Sequence, residues 1–257
     1  LITVFSNALN IGLDYLFIVQ WDLAAKGAAW ATLIAEYTAL VIAGYLVMKK
    51  LRELDVPLNQ LSAENKSWRD TIALNLDLFL RTSVLLFVFN FFNAQSAALG
   101  DTTLAANAIM IQVVLFIAFC LDAYAHAAEA MTARAIGANN IHEFHSSSAA
   151  TLFAGVLVSM LLSLGLWLAG EFFLLQLPDI PDVESQLSDV IFWIYLIPLI
   201  SVWTYILDGI FIGCGQTRWM RTTMFIAVFV VFLPLWYGLK GYDNHGLWAA
   251  FTLFNGA

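Results

Sequence analysis

Residues 102–136 read TTLAANAIMIQVVLFIAFCLDAYAHAAEAMTARAI. A helix needs about 20 predominantly apolar residues to cross a hydrocarbon core about 30 Å thick, and this run is longer than that. It reads as a membrane-crossing helix with an interfacial turn or a tilted, protruding end. Working outward, comparable apolar runs occupy 1–19, 27–48, 71–97, 147–175, 187–213, 219–239 and 246–257, separated by short polar breaks. The first and last runs are cut by the chain ends, which reads as a fragment of a longer protein, and the other six are complete crossings. Composition agrees. The chain is 61% hydrophobic and 12% charged, where soluble domains run to about 45–50% apolar and about 25% charged. The expected fold is all-α, a polytopic membrane helical bundle with the lipid bilayer as its solvent.

Positive charge sets the expected orientation, because lysine- and arginine-bearing loops stay on the cytoplasmic side. Lys49, Lys50, Arg52, Lys66 and Arg69 fill one break, Arg134 ends a later run, and Arg218 with Arg221 fills another. These three are expected to be cytoplasmic. The breaks between them, Asn93 to Asp101 and Glu171 to Asp189, hold no lysine or arginine and are expected outside. Lys26 and Lys240 are exceptions, each with an aspartate nearby, Asp22 or Asp243. The segment 49–70 carries Pro57, Asn59 and Gln60 and reads as a cytoplasmic linker between two helix groups. Leu13-Asp14-Tyr15 followed by Gly27-Ala28-Ala29-Trp30-Ala31 is echoed by Leu235-Trp236-Tyr237 followed by Gly246-Leu247-Trp248-Ala249-Ala250. Two such hairpins, four helices apart, fit parallel repeats of six helices, a transporter habit. The net charge of −8 and the lack of a basic stripe exclude nucleic acid as a partner. Cys120 and Cys214 sit in apolar runs and read as packing residues.

Ionisable groups at bilayer depth cost about 2.5–3.5 kcal/mol on insertion scales and usually point to a cavity or a partner. Asp77 and Arg81 on one helix are four apart, which predicts mutual neutralisation on one face or a functional pair. Asp122, His126 and Glu129 follow i, i+4, i+7 spacing and form one polar stripe among alanines, expected to face the bundle interior. One histidine with two acids lacks the usual metal-ligand set, and His-Ala-Ala-Glu is not a His-Glu-x-x-His motif, so no metal is expected. A desolvated carboxylate binds protons more readily. Protonation would then exclude a cationic ligand and deprotonation would attract it, which is exchange by competition. The aromatics Phe87, Phe89, Phe91, Phe92, Trp193, Tyr195, Trp203 and Tyr205 are expected mostly in the lipid-facing or interfacial belt, and Pro198 and Pro234 are expected to kink their helices.

The stretch Asn75-Leu76-Asp77-Leu78-Phe79-Leu80-Arg81-Thr82, then Leu104-Ala105-Ala106-Asn107-Ala108, then Leu121 to Ala130 with Arg134-Ala135-Ile136-Gly137-Ala138, resembles helices seven and eight of MATE exporters of the DinF branch. Leu207-Asp208-Gly209-Ile210-Phe211-Ile212-Gly213 is similar to the tenth helix of that branch, and Asn10 to Tyr15 with Gly27 to Thr32 to its fifth and sixth. The resemblance implies a twelve-helix protein of two six-helix lobes. Residues 1–48 would be the last two helices of the amino-terminal lobe, 49–70 the inter-lobe linker, and 71–257 the carboxy-terminal lobe. It also implies a monomeric secondary active antiporter in a bacterial inner membrane, exporting small organic, often cationic, compounds in exchange for H+ or Na+. No other cofactor is implied. Asp208 would be the cation-binding carboxylate of the tenth helix. The sodium-coupled NorM branch carries a glutamate on helix seven where this chain has Ser83, a departure from the sodium pattern. A lipid-linked sugar flippase of the same superfamily is an alternative, but its cavity is cationic, whereas acids here outnumber Arg81. A membrane-embedded enzyme is a second alternative, for which no Gly-x-Ser-x-Gly or His-Glu-x-x-His motif is present.

Overall fold

The computed structural model describes residues 2–53, 68–170, 172 and 180–257, and the chain divides into two compact units, 1–66 and 67–257. Residues 54–67 of the expected linker, with Pro57, Asn59, Gln60 and Lys66, lie outside the described residues, as do Glu171 and Asp179. At its edges that segment is helical. The helices on either side run to Glu53 and start at Trp68, so Lys49, Lys50 and Arg52 form a helix end and favour its negative dipole pole.

The first unit is a helical hairpin. Helix α1 (Ile2–Asp14) widens into a π-helical turn (Tyr15–Gln20) and returns as α2 (Ala24–Glu53). The reversal is tight because Asp22 and Ala24 take left-handed backbone conformations, φ 52° and 46°. The legs approach closely through small residues. A Cβ on Gly27 would lie 3.0 Å from the Phe17 Cβ, Ala31 and Ala35 are buried, and the Ser6 hydroxyl donates to the Ala35 carbonyl at 3.3 Å. Small residues of this kind allow the backbone contact on which membrane helix pairs depend.

The second unit comprises α3 (Trp68–Leu99), α4 (Asp101–Gly137), α5 (Ile141–Gly165) with a π-helical end (Leu166–Gly170), α6 (Pro181–Val190) and α7 (Phe192–Gly213). It closes with α8 (Thr217–Ile226), a π-helical segment (Ala227–Phe232), α9 (Leu233–Leu239), a 3-10 turn (Lys240–Tyr242) and α10 (Asp243–Asn255). Across both units seven stretches are long and apolar enough to cross a membrane, and no strand occurs among the described residues. The last stretch, 217–255, is itself a hairpin, since α10 packs back on α9 and on the π-helical segment.

Helix α4 is the axis. It is one uninterrupted helix of 37 residues, about 55 Å long at 1.5 Å per residue. The interfacial turn expected as one possibility within 102–136 is therefore absent. Its buried residues Thr103, Asn107, Met110, Val114, Ile117, Leu121, Ala125, Ala128, Thr132 and Ala135 recur every three or four positions, the spacing of a single helix face. That face meets α3, α5 and α7. Its tightest crossing is with α7, where Gly209 and Gly213 form a Gly-x-x-x-Gly pair. A Cβ on Gly209 would collide with the Ala125 carbonyl, and one on Gly213 with the Thr132 hydroxyl and the Glu129 carbonyl. The two backbones touch because these positions lack side chains.

Sharp connections preserve this packing. Gly100 (φ 129°) joins α3 to α4 and Gly215 (φ 68°) joins α7 to α8, conformations open to glycine at no steric cost. Between α4 and α5, Asn140 caps the new helix by accepting from the Glu143 N–H at 3.1 Å, and Glu143 pairs with Arg134 at 2.8 Å. Pro234 has no N–H, so the carbonyl four residues earlier loses its ordinary partner. The chain accommodates this by shifting register, and the Leu233 N–H donates five residues back to Val228. Pro198 lies inside a continuous α7.

The segment expected as an outer loop, 171–189, contains an unexpected helix, α6. Pro181 occupies its first turn with Asp182 and Glu184, favourable at a helix N-terminus. Val183, Leu187 and Val190 are buried at i, i+4, i+7 spacing. One of the aromatics expected in the belt lies instead in the core. Phe92 is fully buried, packed edge-on to Trp248 at 4.9 Å. Phe89, Phe91, Trp193, Tyr195 and Tyr205 pack partly against the same core, and only Phe87 and Trp203 are exposed.

Candidate functional site

Helices α3, α7 and α8 bring together four charges that are distant in sequence. Arg81 forms an ion pair with Asp208 through its terminal nitrogen. Asp77, one turn earlier on α3, forms an ion pair with Arg221 of α8, and the Thr217 hydroxyl lies 3.5 Å from its second oxygen. The expected neutralisation of Asp77 by Arg81 within one helix does not occur. Each finds its counter-charge on another helix, because the i, i+4 surface pair competes with partners presented by the closely packed α7 and α8. Arg221 is likewise not a free loop charge. It lies in the second turn of α8 and its guanidinium is spent on Asp77.

Asp77 is nearly buried, at 8% exposure. Removing one partner of a buried pair strands the other charge, which costs about 3–5 kcal/mol at full burial. Arg221 retains partial exposure, at 31% of its side chain, so about 2 kcal/mol is the expected loss for Asp77→Asn. The double variant Asp77→Asn/Arg221→Gln should recover most of it, and thermal unfolding of the wild type and the two variants in detergent measures the difference. Equal loss in the single and double variants would assign the effect to packing instead of charge.

The stripe expected along α4 is split by the fold. The buried face carries Leu121, Ala125, Ala128 and Thr132, so Asp122 and Glu129 sit one position past it and are half-buried. His126 is 79% exposed in its side chain and lies 3.5 Å from Glu129. The stripe therefore does not face the packed interior of this unit, because alanines pack against Gly209 and Gly213 more closely than larger side chains can. Asp122 lies within electrostatic reach of Arg81, Tyr205 and His126, yet makes no hydrogen bond or ion pair among the described residues. Arg81 keeps unused donor capacity, since its buried Nε has no partner among the described residues. Ser83 donates to the Phe79 carbonyl at 2.8 Å, a bond within its own helix. Asp208 is five residues from the end of α7, about 7.5 Å along the axis.

A second polar cluster was not anticipated from sequence. Asn107 donates to Ser96 at 2.7 Å and to Asn244 at 2.8 Å, and its oxygen accepts from Asn244 at 3.1 Å and Trp248 at 2.8 Å. The amide thereby meets its full complement of two donors and two lone pairs. Ser96, Asn107 and Trp248 are fully buried and Asn244 nearly so, and the cluster ties α3, α4 and α10 together. The available signal was the amide of Asn107 in the first part of the long apolar run. No group of three or more His, Cys, Asp or Glu with metal-binding proximity occurs among the described residues. Cys120 and Cys214 are unbonded to each other, and burial pushes the Cys214 thiol up, away from the reactive thiolate.

Membrane-length helices with charges paired between them define a polytopic integral membrane protein. The particular family follows from comparison with known proteins: the chain belongs to the MatE family, whose sequence profile matches residues 78–237. It is 32% identical over 256 residues to the DNA damage-inducible protein F of Escherichia coli (strain K12), covering 99% of this chain and 55% of that protein. It is 27% identical over 161 residues to the multidrug and toxin extrusion protein 1 of Pongo abelii, covering 62% of this chain and 28% of that one. In fold it is similar to a crystal structure of MATE in complex with MaD5, with a TM-score of 0.86 at 17% identity, over 99% of this chain and 57% of the other. The chain thus spans about half the length of the curated relatives that it matches end to end.

Proposed function

We propose that this chain supplies the final two helices of one lobe and most of the second lobe of a secondary active exporter. Its cargo is small organic compounds, often cationic, expelled across a bacterial inner membrane in exchange for protons or sodium ions. The segments around 49–70, Arg134 and Arg218 face the cytoplasm in this reading. Family membership and the extrusion function in the name of the Pongo abelii relative support the transport class. The observation that carries the coupling site is the assembly of Arg81, Asp208 and Asp122 from three helices. One guanidinium and two carboxylates leave a single net negative charge at a place flanked by apolar helices, which attracts one monovalent cation and not an anionic headgroup. Alternating access then follows from a site that holds proton, metal cation or cargo, but one at a time.

Reconstituted full-length protein tests this. Efflux of an organic cation from proteoliposomes is expected under an imposed proton or sodium gradient and is expected to stop when both gradients are collapsed. Efflux that continues at the same rate without either gradient would refute ion-coupled antiport, and movement of a lipid-linked pyrophosphate alone would favour the flippase alternative.

A further inference from the structure

Three observations around Arg81 go beyond a coupling site in general. Its ion pair with Asp208 joins α3 to α7. Its Nε is buried without a partner among the described residues. Asp122 of α4 lies one turn before Ala125, whose carbonyl abuts Gly209 next to Asp208, and it interacts with Arg81 but accepts no hydrogen bond among the described residues. The charged and titratable groups that interact with Asp122 are His126 on its own helix, Arg81 on α3 and Tyr205 on α7, and Asp208 of α7 joins them through its ion pair with Arg81. The Asp77–Arg221 pair one turn away on α3 is neutral as a unit.

Resting on the exporter reading, we propose that Arg81 is an internal counter-ion that limits the site to one exogenous positive charge. Held on Arg81, Asp208 is neutralised, and Asp122 is the carboxylate on which a proton and the organic cation compete. The family-based expectation placed the cation on Asp208 itself. A carboxylate already engaged by a guanidinium attracts a second cation weakly, because the pair presents a dipole and no net charge. Asp122 has no such partner among the described residues. Arg81 also interacts with Asp122, and its Nε–H carries no hydrogen bond among the described residues. Removing the charge of Asp208 therefore releases Arg81 toward Asp122, where it acts as a tethered competitor for the ligand.

The charge arithmetic makes the inference testable through rescue. In full-length protein in detergent, tetraphenylphosphonium binding is measured by equilibrium dialysis between pH 6 and 8. The wild type carries a net −1 at the three groups; Asp208→Asn and Asp122→Asn carry 0; Arg81→Gln/Asp208→Asn carries −1 again. Both single variants are expected to bind at least about tenfold more weakly, since one unit charge at contact range outweighs that ratio even in a partly polar medium. The double variant is expected to return to within about threefold of wild type and to keep the wild-type competition with protons, while Asp122→Asn loses that pH dependence. A merely structural Arg81–Asp208 latch predicts neither the rescue nor the pH profile. If Asp208→Asn does not fold, the double variant against Asp122→Asn decides alone, because neither of these strands Arg81 without a carboxylate. A double variant as weak as Asp208→Asn, or Asp122→Asn binding like wild type, overturns the proposal. Binding is read without any gradient, so the two readings fail separately. The predicted binding pattern without gradient-driven efflux would remove the exporter reading and keep this one, and wild-type efflux with no binding rescue would do the reverse.

Discussion

Gly209→Ala is expected to abolish recovery of folded full-length protein, whereas Gly165→Ala leaves it unchanged. The two substitutions add the same methyl group to a helix. At Gly165 that methyl meets open space within its unit, and at Gly209 it runs into the carbonyl of Ala125 on α4. A backbone atom of a packed helix has no rotamer by which to retreat, so α7 must separate from α4 along the crossing that Gly213 also shares. Overpacking in cores costs about 1–3 kcal/mol when side chains can adjust, and more when they cannot. Displacing α7 also removes Asp208 from Arg81 and from the vicinity of Asp122, so any residual folded fraction should lose cation binding. Gly165→Ala, by contrast, gains helix propensity of about 0.5–1 kcal/mol. Size-exclusion profiles of the two variants in detergent check this, and a monodisperse Gly209→Ala protein with wild-type thermal stability would show that the α4–α7 contact is looser than described.

Asn107→Leu is the second large effect. Leucine keeps the branched four-atom outline of the asparagine side chain but is bulkier, so some repacking around Phe92 and Trp248 adds to the loss, while four hydrogen bonds disappear at once. Each bond between membrane helices contributes about 0.6 kcal/mol on average and up to about 1.7. The deletion is asymmetric, since Ser96, Asn244 and the Trp248 indole N–H all remain buried without that partner, and stranded groups cost about 1–3 kcal/mol apiece in soluble cores. A loss of about 2–4 kcal/mol follows, which lowers the unfolding midpoint by at least about 5 °C for a domain of this size. Asn90→Leu is the internal control: its amide bonds to the Leu86 carbonyl of its own helix and is exposed. Equal melting temperatures for the two variants would remove the cluster from any role in joining α3, α4 and α10.

The residues that proved legible in the sequence share a property: their signal is carried by length or by a local motif. Apolar runs located the membrane helices though not their exact ends, and the family motif at 207–213 contains both the Asp208 carboxylate and the Gly-x-x-x-Gly contact. Helix α6 was legible in principle, from Pro181 followed by acids and a Val183, Leu187, Val190 spacing, but its polar face disguised it as loop.

Pairing between helices was not legible. Helical periodicity states which side chains share a face, as with Asp77 and Arg81 or Asp122, His126 and Glu129, and is silent on what the next helix presents to that face. The competition between a partner four residues away and a partner on another helix is settled by interhelical distance. That distance is set by the glycines and alanines of α4 and α7, not by the charged residues themselves. So the sequence alone determined that this is a membrane-embedded helical protein of the MatE family, because burial of apolar length in lipid needs no knowledge of neighbours. Only the tertiary structure decided that Asp77 belongs to Arg221, that Asp208 belongs to Arg81, and that Asp122 is left without a partner among the described residues, because a charge in a low-dielectric bundle is governed by whatever the close approach of backbones brings within reach.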